Sequence, residues 1–255
     1  MILALAGMMS CRSSKDLIYL RDAPVNNTMI KGLADQVVEY VLKPGDILYV
    51  SIKSMNPEIN ALYNPESNME GPGSMGYQKY STPSGAYLYG FEIDPQGYIK
   101  LPMLGNVKVD GTPLSQVEAI VQKKTDEFIN DAIVNVKLLN FMVTVLGEVR
   151  NPGVFYNYKN TMTVLEALAM ASGNTDYASI KKVMVIRPGA GGNHSFLLNL
   201  GSKESFLSEA FYLRSNDYVI VQPDRRKNFQ LNSQAYSLIF SSLSMMLAVL
   251  AFVKF

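Results

Sequence analysis

The stretch FMVTVLGEVRNPGVFYNYKNTMTVLEALAMASG, residues 141–173, decides the fold of the second half of the chain. Residues 142–149 are rich in β-branched side chains, and residues 154–158 alternate apolar and polar side chains, so both segments are predicted strands. Asn151-Pro152-Gly153 lies between them. Pro fixes φ at the first central position of a turn and Gly tolerates a positive φ at the second, which favours a type II turn. The pattern therefore predicts a β-hairpin.

A helix is predicted directly after this hairpin. Thr163 is a favourable N-cap and Glu166 follows three residues later, which is the pattern of a capping box. Gly173 is expected to end the helix. The apolar face that would pack on the hairpin is formed by Val164, Leu165, Leu168, Ala169 and Ala171.

The composition excludes several classes of function. The chain has 255 residues, enough for two modest domains, and its 23 basic and 22 acidic residues leave no excess positive charge to attract nucleic acid. With one Cys and one His, no disulfide can form within the chain, and the usual nitrogen and sulfur ligands of zinc are missing. A catalytic pair with Ser or Cys would have to use His194, which the sequence places in a Gly-rich loop.

The first half of the chain predicts a second α+β unit. Pro44-Gly45 forms a turn before an alternating strand, and Asp94-Pro95-Gln96-Gly97 forms a tight turn between two further strands. Thr112 is expected to cap a helix that has Pro113 at its first position, and residues 132–139 return as a strand. Residues 62–88 are rich in Gly, Pro, Ser and Asn, and predict a long loop or a partly disordered segment. Its tyrosines either anchor the loop to the domain or form a surface that faces sugar or a neighbouring subunit.

Three carboxylates and one glycine-rich segment invite a catalytic interpretation. Asp46, Asp94 and Glu148 each lie beside a turn or strand end, where carboxylates commonly accept hydrogen bonds from backbone N–H groups, so we assign them structural roles. Residues 189–192, GAGG, lack the Lys-Ser/Thr that follows the glycines of a phosphate-binding loop, and a hairpin loop is the favoured interpretation. The sequence therefore predicts no catalytic residues.

The last segment of the chain is apolar and carries no charge between residues 236 and 253. As a helix it would be about 27 Å long, close to the thickness of the bilayer hydrocarbon core. At 100° per residue one side is small or polar, and such a stripe should face other helices or water. The stripe contains Ser233, Ser237, Ser241, Ser244 and Ala248, whereas the opposite, lipid-facing side contains Ile239, Leu243, Met246, Leu250 and Val253. A hydrophobic helix packed on its own domain, or a plain tail anchor, is the alternative.

Two groups of motifs resemble one known family. V-L-G-E-V-x-N-P-G-x-F, then T-V-L-E-A-L-A-x-A-x-G, then V-M-V-I-R at residues 183–187 are similar to the soluble-ligand-binding β-grasp (SLBB) domain of Wza-type polysaccharide export proteins. K-P-G-D-x-L-x-V and D-x-x-G-x-I-x-L-P-x-x-G in the first half resemble the polysaccharide export sequence domain of the same family. The resemblance covers residues 40–223 in the order of that family.

The N-terminus resembles a bacterial lipoprotein signal. A short apolar run, residues 2–9, precedes Ser10-Cys11, and Cys11 is expected to carry covalent lipid after cleavage. No Lys or Arg precedes the run, and Met8-Met9 stands where Leu and a small residue are more usual. The simpler alternative is a free Cys in an N-terminal tail.

The resemblance implies an α+β protein with two small periplasmic domains and a C-terminal amphipathic transmembrane helix. We expect a signal segment at residues 1–10 and a lipidated N-terminal arm at 11–35, extended towards the first domain. The export sequence domain then covers 36–139, with its loop at 62–88, and the SLBB domain covers 140–223. The membrane helix covers 224–255.

The implied function is that of one subunit in an oligomeric outer-membrane translocon that exports capsular or exopolysaccharide from the periplasm. The expected partners are further copies of the chain in a ring, which in that family is commonly an octamer, together with the polysaccharide and outer-membrane lipid. An inner-membrane polysaccharide co-polymerase with tyrosine kinase activity is the other expected partner. No cofactor beyond the lipid on Cys11 is implied. Two rival hypotheses are a membrane-anchored periplasmic lipoprotein that binds carbohydrate or another small ligand without a pore, and a glycan-cleaving enzyme, which would need two facing carboxylates.

Overall fold

The computed structural model describes residues 18–24, 39–64, 83–189, 191–224, 227 and 233–253, and within the last helix it describes side chains for 236–249. The described part of the chain is mixed α and β, with several sheets and five α-helices. Cys11 lies outside the described residues. The predicted α+β class is confirmed.

The first domain is built on a three-stranded antiparallel sheet. Its central strand β1 (Ile47–Lys53) lies between β2 (Phe91–Glu92) and β5 (Ile133–Leu138), and the alternating burial of β5 places one face of the sheet in the core. The remaining elements are a hairpin of β3 and β4 and three helices: β3 (Tyr98–Leu101), β4 (Gly105–Lys108), α1 (Pro57–Tyr63), α2 (Pro83–Tyr89) and α3 (Leu114–Asp126).

The second domain is a five-stranded mixed sheet with one helix on its inner face. The strand order is β7-β6-β10-β8-β9, and β10 is parallel to β6 whereas the other neighbours are antiparallel. A 3₁₀ helix (Lys203–Leu207) precedes the last strand. The elements are β6 (Met142–Gly147), β7 (Gly153–Tyr156), α4 (Val164–Met170), β8 (Ala178–Gly189), β9 (Gly192–Leu198) and β10 (Tyr218–Pro223).

The predicted capping box of α4 is confirmed. The backbone N–H of Glu166 donates to Thr163 Oγ1 at 3.2 Å, and the backbone N–H of Thr163 donates to the Glu166 carboxylate at 2.8 Å. At the other end the helix closes with a Schellman pattern, in which the N–H groups of Ser172 and Gly173 donate to Ala169 and Leu168. Ser172 itself has φ +62° and Gly173 has φ +76°, so the left-handed conformation begins one residue before the predicted glycine.

The predicted type II turn at Asn151-Pro152-Gly153 is wrong. Gly153 is the first residue of β7, and the positive φ in this region belongs to Gly147 (+87°), where a Cβ atom would lie 2.2 Å from the Val221 carbonyl oxygen. The segment is held instead by the end of α4, because the N–H of Asn151 donates to Ala171 at 3.0 Å. Tertiary hydrogen bonds therefore determine the conformation of this loop, rather than the preferences of Pro and Gly.

The predicted cap of α3 is also wrong. The helix begins at Leu114, its N-cap position is occupied by Pro113, and no side chain caps it. Pro113 forms an antiparallel bridge with Val41, and the Thr112 carbonyl accepts the N–H of Leu42 at 3.0 Å. This pairing places Thr112 one residue too early to act as the cap.

The predicted loop at 62–88 is described only at its ends, since residues 65–82 lie outside the described part of the chain. Helix α1 ends at Tyr63, inside the proposed loop, and α2 begins at Pro83, so both ends are helical. The Tyr63 hydroxyl donates to the Pro102 carbonyl, which ties α1 to the β3–β4 connection. Buried contacts of this tyrosine outweigh the turn-forming composition of the surrounding residues.

The described part of the N-terminal arm, residues 18–24, contacts the second domain, a docking that the sequence did not predict. The N–H groups of Leu20 and Arg21 donate to the carbonyls of Leu200 and Gly201 at 2.9 and 3.0 Å. The Asp22 carboxylate accepts the Ser202 hydroxyl and the N–H of Lys203, at the start of the 3₁₀ helix. Leu20 packs on the hydrophobic core, so apolar burial stabilises this contact.

The C-terminal helix α5 covers Ser233–Val253, where the sequence predicts a helix. Within the described part of the chain, no helix is long and apolar enough to cross a membrane. The transmembrane prediction is therefore not supported.

Candidate functional site

Helix α5 carries the predicted stripe and leaves it uncovered. Every described side chain of the helix, from 236 to 249, is exposed. The hydroxyls of Ser241 and Ser244 donate to the helix's own carbonyls at Leu238 and Phe240, at 3.0 and 2.7 Å, which leaves their oxygen lone pairs available as acceptors. Ser237 and Ala248 lie on the same side of this helix, and Ile239, Leu243 and Met246 on the opposite side are 52–63% exposed. Ser233, Leu250 and Val253 lie in the helix, but their side chains are outside the described part.

An ion pair with a buried carboxylate holds the segment that leads to α5. Glu148 follows β6 and is 7% exposed, and its carboxylate accepts the Lys227 ammonium together with the Thr175 hydroxyl at 2.6 Å. The N–H of Asp224 also donates to the Tyr177 carbonyl at 2.7 Å. We call Glu148, Thr175 and Lys227 the exit anchor, since they fix the chain where it leaves the second domain.

The exit anchor shifts the acidity of its carboxyl group. Hydrogen bonds from Lys227 and Thr175, with the charge of Lys227, lower the pKa of Glu148 below its ordinary value, although burial acts in the opposite direction. Glu148 thus has the structural role proposed from the sequence, since it binds Lys227, which lies 79 residues further along the chain. Sequence reasoning missed this pair because nothing local links the turn after β6 to the basic segment before α5.

Asn140 joins the two domains. Its side chain accepts the N–H of Ile47 and donates to the Gly45 carbonyl, both at 3.0 Å, while its own carbonyl accepts the Ser215 hydroxyl at 3.0 Å. The Tyr40 and Phe141 rings pack beside it with centroids 5.8 Å apart. A cleft of about 220 Å³ lies at this junction, lined by residues of both domains. The domains are therefore connected by packed and hydrogen-bonded contacts.

The other two carboxylates considered from the sequence also have structural partners. Asp46 accepts the Tyr40 hydroxyl at 2.9 Å and the N–H of Lys43 at 3.0 Å, and burial raises its pKa. Asp94 accepts the N–H groups of Gln96 and Tyr98 at 3.0 and 2.8 Å, as expected for a carboxylate within a turn. Each of these two carboxylates therefore orders a local turn of the first domain.

An ion pair with both partners buried also lies in the second domain. Asp217 is fully buried, and its carboxylate accepts Arg187 Nη2 at 2.8 Å and the N–H of Arg214 at 2.8 Å. Arg187 also donates to the Tyr212 carbonyl at 3.0 Å. These contacts organise residues 209–217 around the end of β8. The sequence offered only one signal for this pair, the arginine that ends the apolar strand VMVIR.

The glycine-rich segment forms the predicted hairpin, because Gly189 pairs with Gly192 between β8 and β9. His194 was expected in a loop, but it lies on β9, opposite Arg187, with an exposed side chain. The antiparallel pairing of β8 and β9 extends to the glycines, so the loop is shorter than the sequence suggests. Within the described residues no group of three or more His, Cys, Asp or Glu side chains could hold a metal ion.

The outer face of the five-stranded sheet is apolar and open. One row of paired residues crosses four strands, from Leu146 through Ile220 and Met184 to Leu197, of which Leu146 is 41% and Leu197 is 67% exposed. Val154 and Tyr218, in the next row, are 49% and 42% exposed. Strands that are apolar on both faces are typical of sheets covered on both sides. We call this surface the open sheet face.

Two family models match consecutive parts of the chain. The model of the polysaccharide biosynthesis/export protein family matches residues 34–139, and the model of the SLBB domain matches residues 142–221. Together they cover about three quarters of the 255 residues. The chain belongs to the polysaccharide export proteins that carry an SLBB domain, as the sequence resemblance predicts. This combination is consistent with a Wza-type export protein.

Membership of this family bears on the general role of the chain. Both matched families are transport or binding domains rather than enzymes, and the domains of the export family do not normally use cofactors. Proteins of the export family are in general associated with the periplasm and the outer membrane. A role in polysaccharide export follows from these matches.

Proposed function

We propose that the chain is one subunit of an oligomeric translocon that passes capsular or exopolysaccharide from the periplasm to the cell surface. The observation that carries this proposal is the order of the two matched domains, followed by a helix whose described side chains are all exposed. An isolated helix with this much exposed apolar surface is poorly stable in water, because most helix stability comes from burial of an apolar face. Further copies of the chain would supply that burial.

The stripe of α5 would line the opening through which the polysaccharide moves. Ser237, Ser241, Ser244 and Ala248 would face neighbouring helices and a hydrated opening, while the side with Ile239, Leu243 and Met246 would face lipid. Small side chains allow helices to approach closely. Their hydroxyl oxygens offer weak, replaceable hydrogen bonds to sugar hydroxyls, and such a surface would let a polymer move without tight binding.

The exit anchor supports the proposal because it fixes the chain to the second domain close to the helix. Lys227 is held against Glu148 six residues before α5 begins. A ring of identical helices needs the same departure direction in every subunit. The exit anchor would supply that constraint.

The N-terminal arm would attach the subunit to the membrane. Lipid on Cys11 would attach the N-terminus to the outer membrane, and the contact of residues 18–24 with the second domain would hold that domain near the anchor. The proposed partners are further copies in a ring, such as an octamer, the exported polysaccharide and an inner-membrane polysaccharide co-polymerase with tyrosine kinase activity.

The assembly is tested by the mass of the detergent-extracted protein. We expect a closed oligomer in mass photometry or native mass spectrometry, and a ring in electron microscopy. A monomer under conditions that preserve export activity would contradict the translocon proposal, and would favour a membrane-anchored lipoprotein that binds carbohydrate without a pore.

The stripe is tested by paired substitutions on opposite sides of α5. The double change Ser241→Leu and Ser244→Leu should reduce surface polysaccharide or the yield of oligomer at least several-fold, because it replaces acceptor oxygens and small side chains with bulky apolar groups. Leu243→Ile, which conserves volume on the opposite side, serves as the control and should have little effect. Equal, mild effects of both variants would show that the stripe has no role.

A further inference from the structure

Strand β5 lies at an edge of the first domain's sheet, since it pairs with β1 on one side and with no strand of the described chain on the other. Such an edge presents unpaired N–H and C=O groups, to which an extended segment of another molecule can add as a further strand. The sequence of β5, IVNVKL, is rich in β-branched residues, and Ile133 is 70% exposed. The composition of this strand therefore favours strand addition.

The side chain of Gln122, on helix α3, covers the beginning of this edge. Its Nε2 donates to the Ala132 carbonyl at 2.8 Å, and its Oε1 accepts the N–H of Val134 at 2.9 Å. In a parallel pair of strands, a residue donates to the carbonyl just before the residue opposite and accepts the N–H just after it. The Gln122 amide therefore makes both hydrogen bonds that a residue of an added parallel strand would make opposite Ile133.

Asp126 orients this amide. Its carboxylate accepts a hydrogen bond from Gln122 Nε2 at 2.7 Å, from one helical turn further along α3. The nitrogen thus donates to two acceptors, Asp126 and the Ala132 carbonyl, while the oxygen accepts the backbone N–H. A flipped amide would place its oxygen against both acceptors, so only this orientation satisfies all three hydrogen bonds. The side chain is therefore held in the position that covers the edge.

The rest of the edge of β5 is not covered by Gln122. Leu139 donates to the Ile47 carbonyl of β1 at 2.8 Å, and the pairing of β5 with β1 is regular. Because the N–H groups of an antiparallel strand alternate in direction, those of Val134 and Val136 both face away from β1. The Gln122 amide bonds only the first of these. Lys137 follows with an exposed side chain, and lysine on an edge strand opposes the approach of another strand.

We propose that Gln122 and Asp126 close the edge of β5 against strand addition by a second copy of the chain. A second copy is the relevant partner because it carries the same β-branched edge, and two such edges can pair about a two-fold axis. Pairing of this kind joins only two subunits, so a closed edge directs any further assembly to other surfaces. The protection acts in the folded first domain and does not depend on the proposed export function.

The hydrogen bonds of the cap are tested by hydrogen exchange of single backbone amides in the full chain in detergent. In the wild type, the Val134 amide should exchange at least about 10-fold more slowly than the Val136 amide, because only the first is bonded. Gln122→Ala should remove most of this difference. Gln116→Ala, at an exposed position of the same helix, is the control and should leave both rates unchanged. Equal exchange of the two amides in the wild type would overturn the proposal.

The concentration dependence of exchange separates protection against strand addition from a purely structural role. When the concentration of Gln122→Ala is raised about 100-fold, exchange at Val136 should slow at least several-fold, because an added strand bonds this amide. The wild type should show no such change. Asp126→Ala, which removes only the bond that orients the amide, should change both measurements in the same direction but less, and it provides the test if Gln122→Ala does not fold. A Val136 rate that is independent of concentration in the folded variants would overturn the proposal.

Discussion

At the scale of single residues, two ion pairs show how the burial of a carboxylate determines its contribution to stability. Glu148 and Lys227 have side chains that are 9% and 38% exposed, whereas those of Lys124 and Glu127 are 36% and 51% exposed. The carboxylate of Glu148 also accepts a second hydrogen bond, from Thr175. The buried carboxylate depends on its partners far more than the exposed one does.

Glu148→Gln should therefore lower the free energy of unfolding by about 1–3 kcal/mol, because the charged hydrogen bonds are weakened inside the protein. Glu127→Gln is the matched control, and it should cost no more than about 0.5 kcal/mol because its pair is screened by water. Chemical denaturation of both variants measures these values. Equal effects would show that the exit anchor contributes no more than a surface pair.

The lowered pKa of Glu148 also predicts how the stability of the protein depends on pH. Since its pKa is lowered in the folded state, the carboxylate contributes stability above its unfolded value of about 4.5, and this contribution is lost as the pH falls through the lower folded value. The wild type should thus lose stability more steeply than Glu148→Gln below about pH 4.5. Parallel stability profiles of the two proteins between pH 7 and pH 3 would contradict this assignment.

At the scale of elements, α3 and α4 show why a helix cap can be recognised in one place and missed in another. Both helices are preceded by threonine, but only Thr163 bonds the first turn of its helix. The Thr112 carbonyl accepts a hydrogen bond from Leu42, and Pro113 takes the cap position. The capping box of α4 is local and complete, whereas the start of α3 depends on a segment about 70 residues earlier in the chain.

Thr163→Ala should destabilise the protein by about 0.5–2 kcal/mol, because it removes the side-chain acceptor for the Glu166 N–H. Thr112→Ala should have little effect, since Thr112 makes no capping bond to α3. Thermal unfolding of the two variants is a direct comparison of the two threonines. A larger loss for Thr112→Ala would contradict the placement of the helix starts.

At the scale of the whole molecule, the open sheet face and α5 are apolar surfaces that one subunit does not cover. Leu197 and Leu146 lie at the two ends of the row that crosses the sheet. Met55 is also apolar and 90% exposed, but it lies in the first domain, away from this face. If copies of the chain contact one another through the open sheet face, this difference separates that contact from general surface hydrophobicity.

Leu197→Glu and Leu146→Glu should each shift the protein from oligomer to monomer, because a charge placed in an apolar interface loses its hydration without gaining a partner. Met55→Glu, the control, should leave the oligomer intact. Native mass spectrometry gives the distribution, and unchanged unfolding temperatures of the monomers would show that the fold is retained. An unaltered oligomer in all three variants would exclude the open sheet face from the assembly.

The sequence by itself determined the hairpin of β6 and β7, the capping box of α4, the turns at Gly45 and Gly97, the position of α5 and the family. Each of these depends on residues within a few positions of one another, where local conformational preference and apolar periodicity act. Only the tertiary structure decided the Glu148–Lys227 and Arg187–Asp217 ion pairs, the docking of residues 18–24 on the second domain and the true start of α3. The partners in these contacts are far apart in the chain, and the energy of a charge or an amide depends on burial, which exists only once the chain has folded.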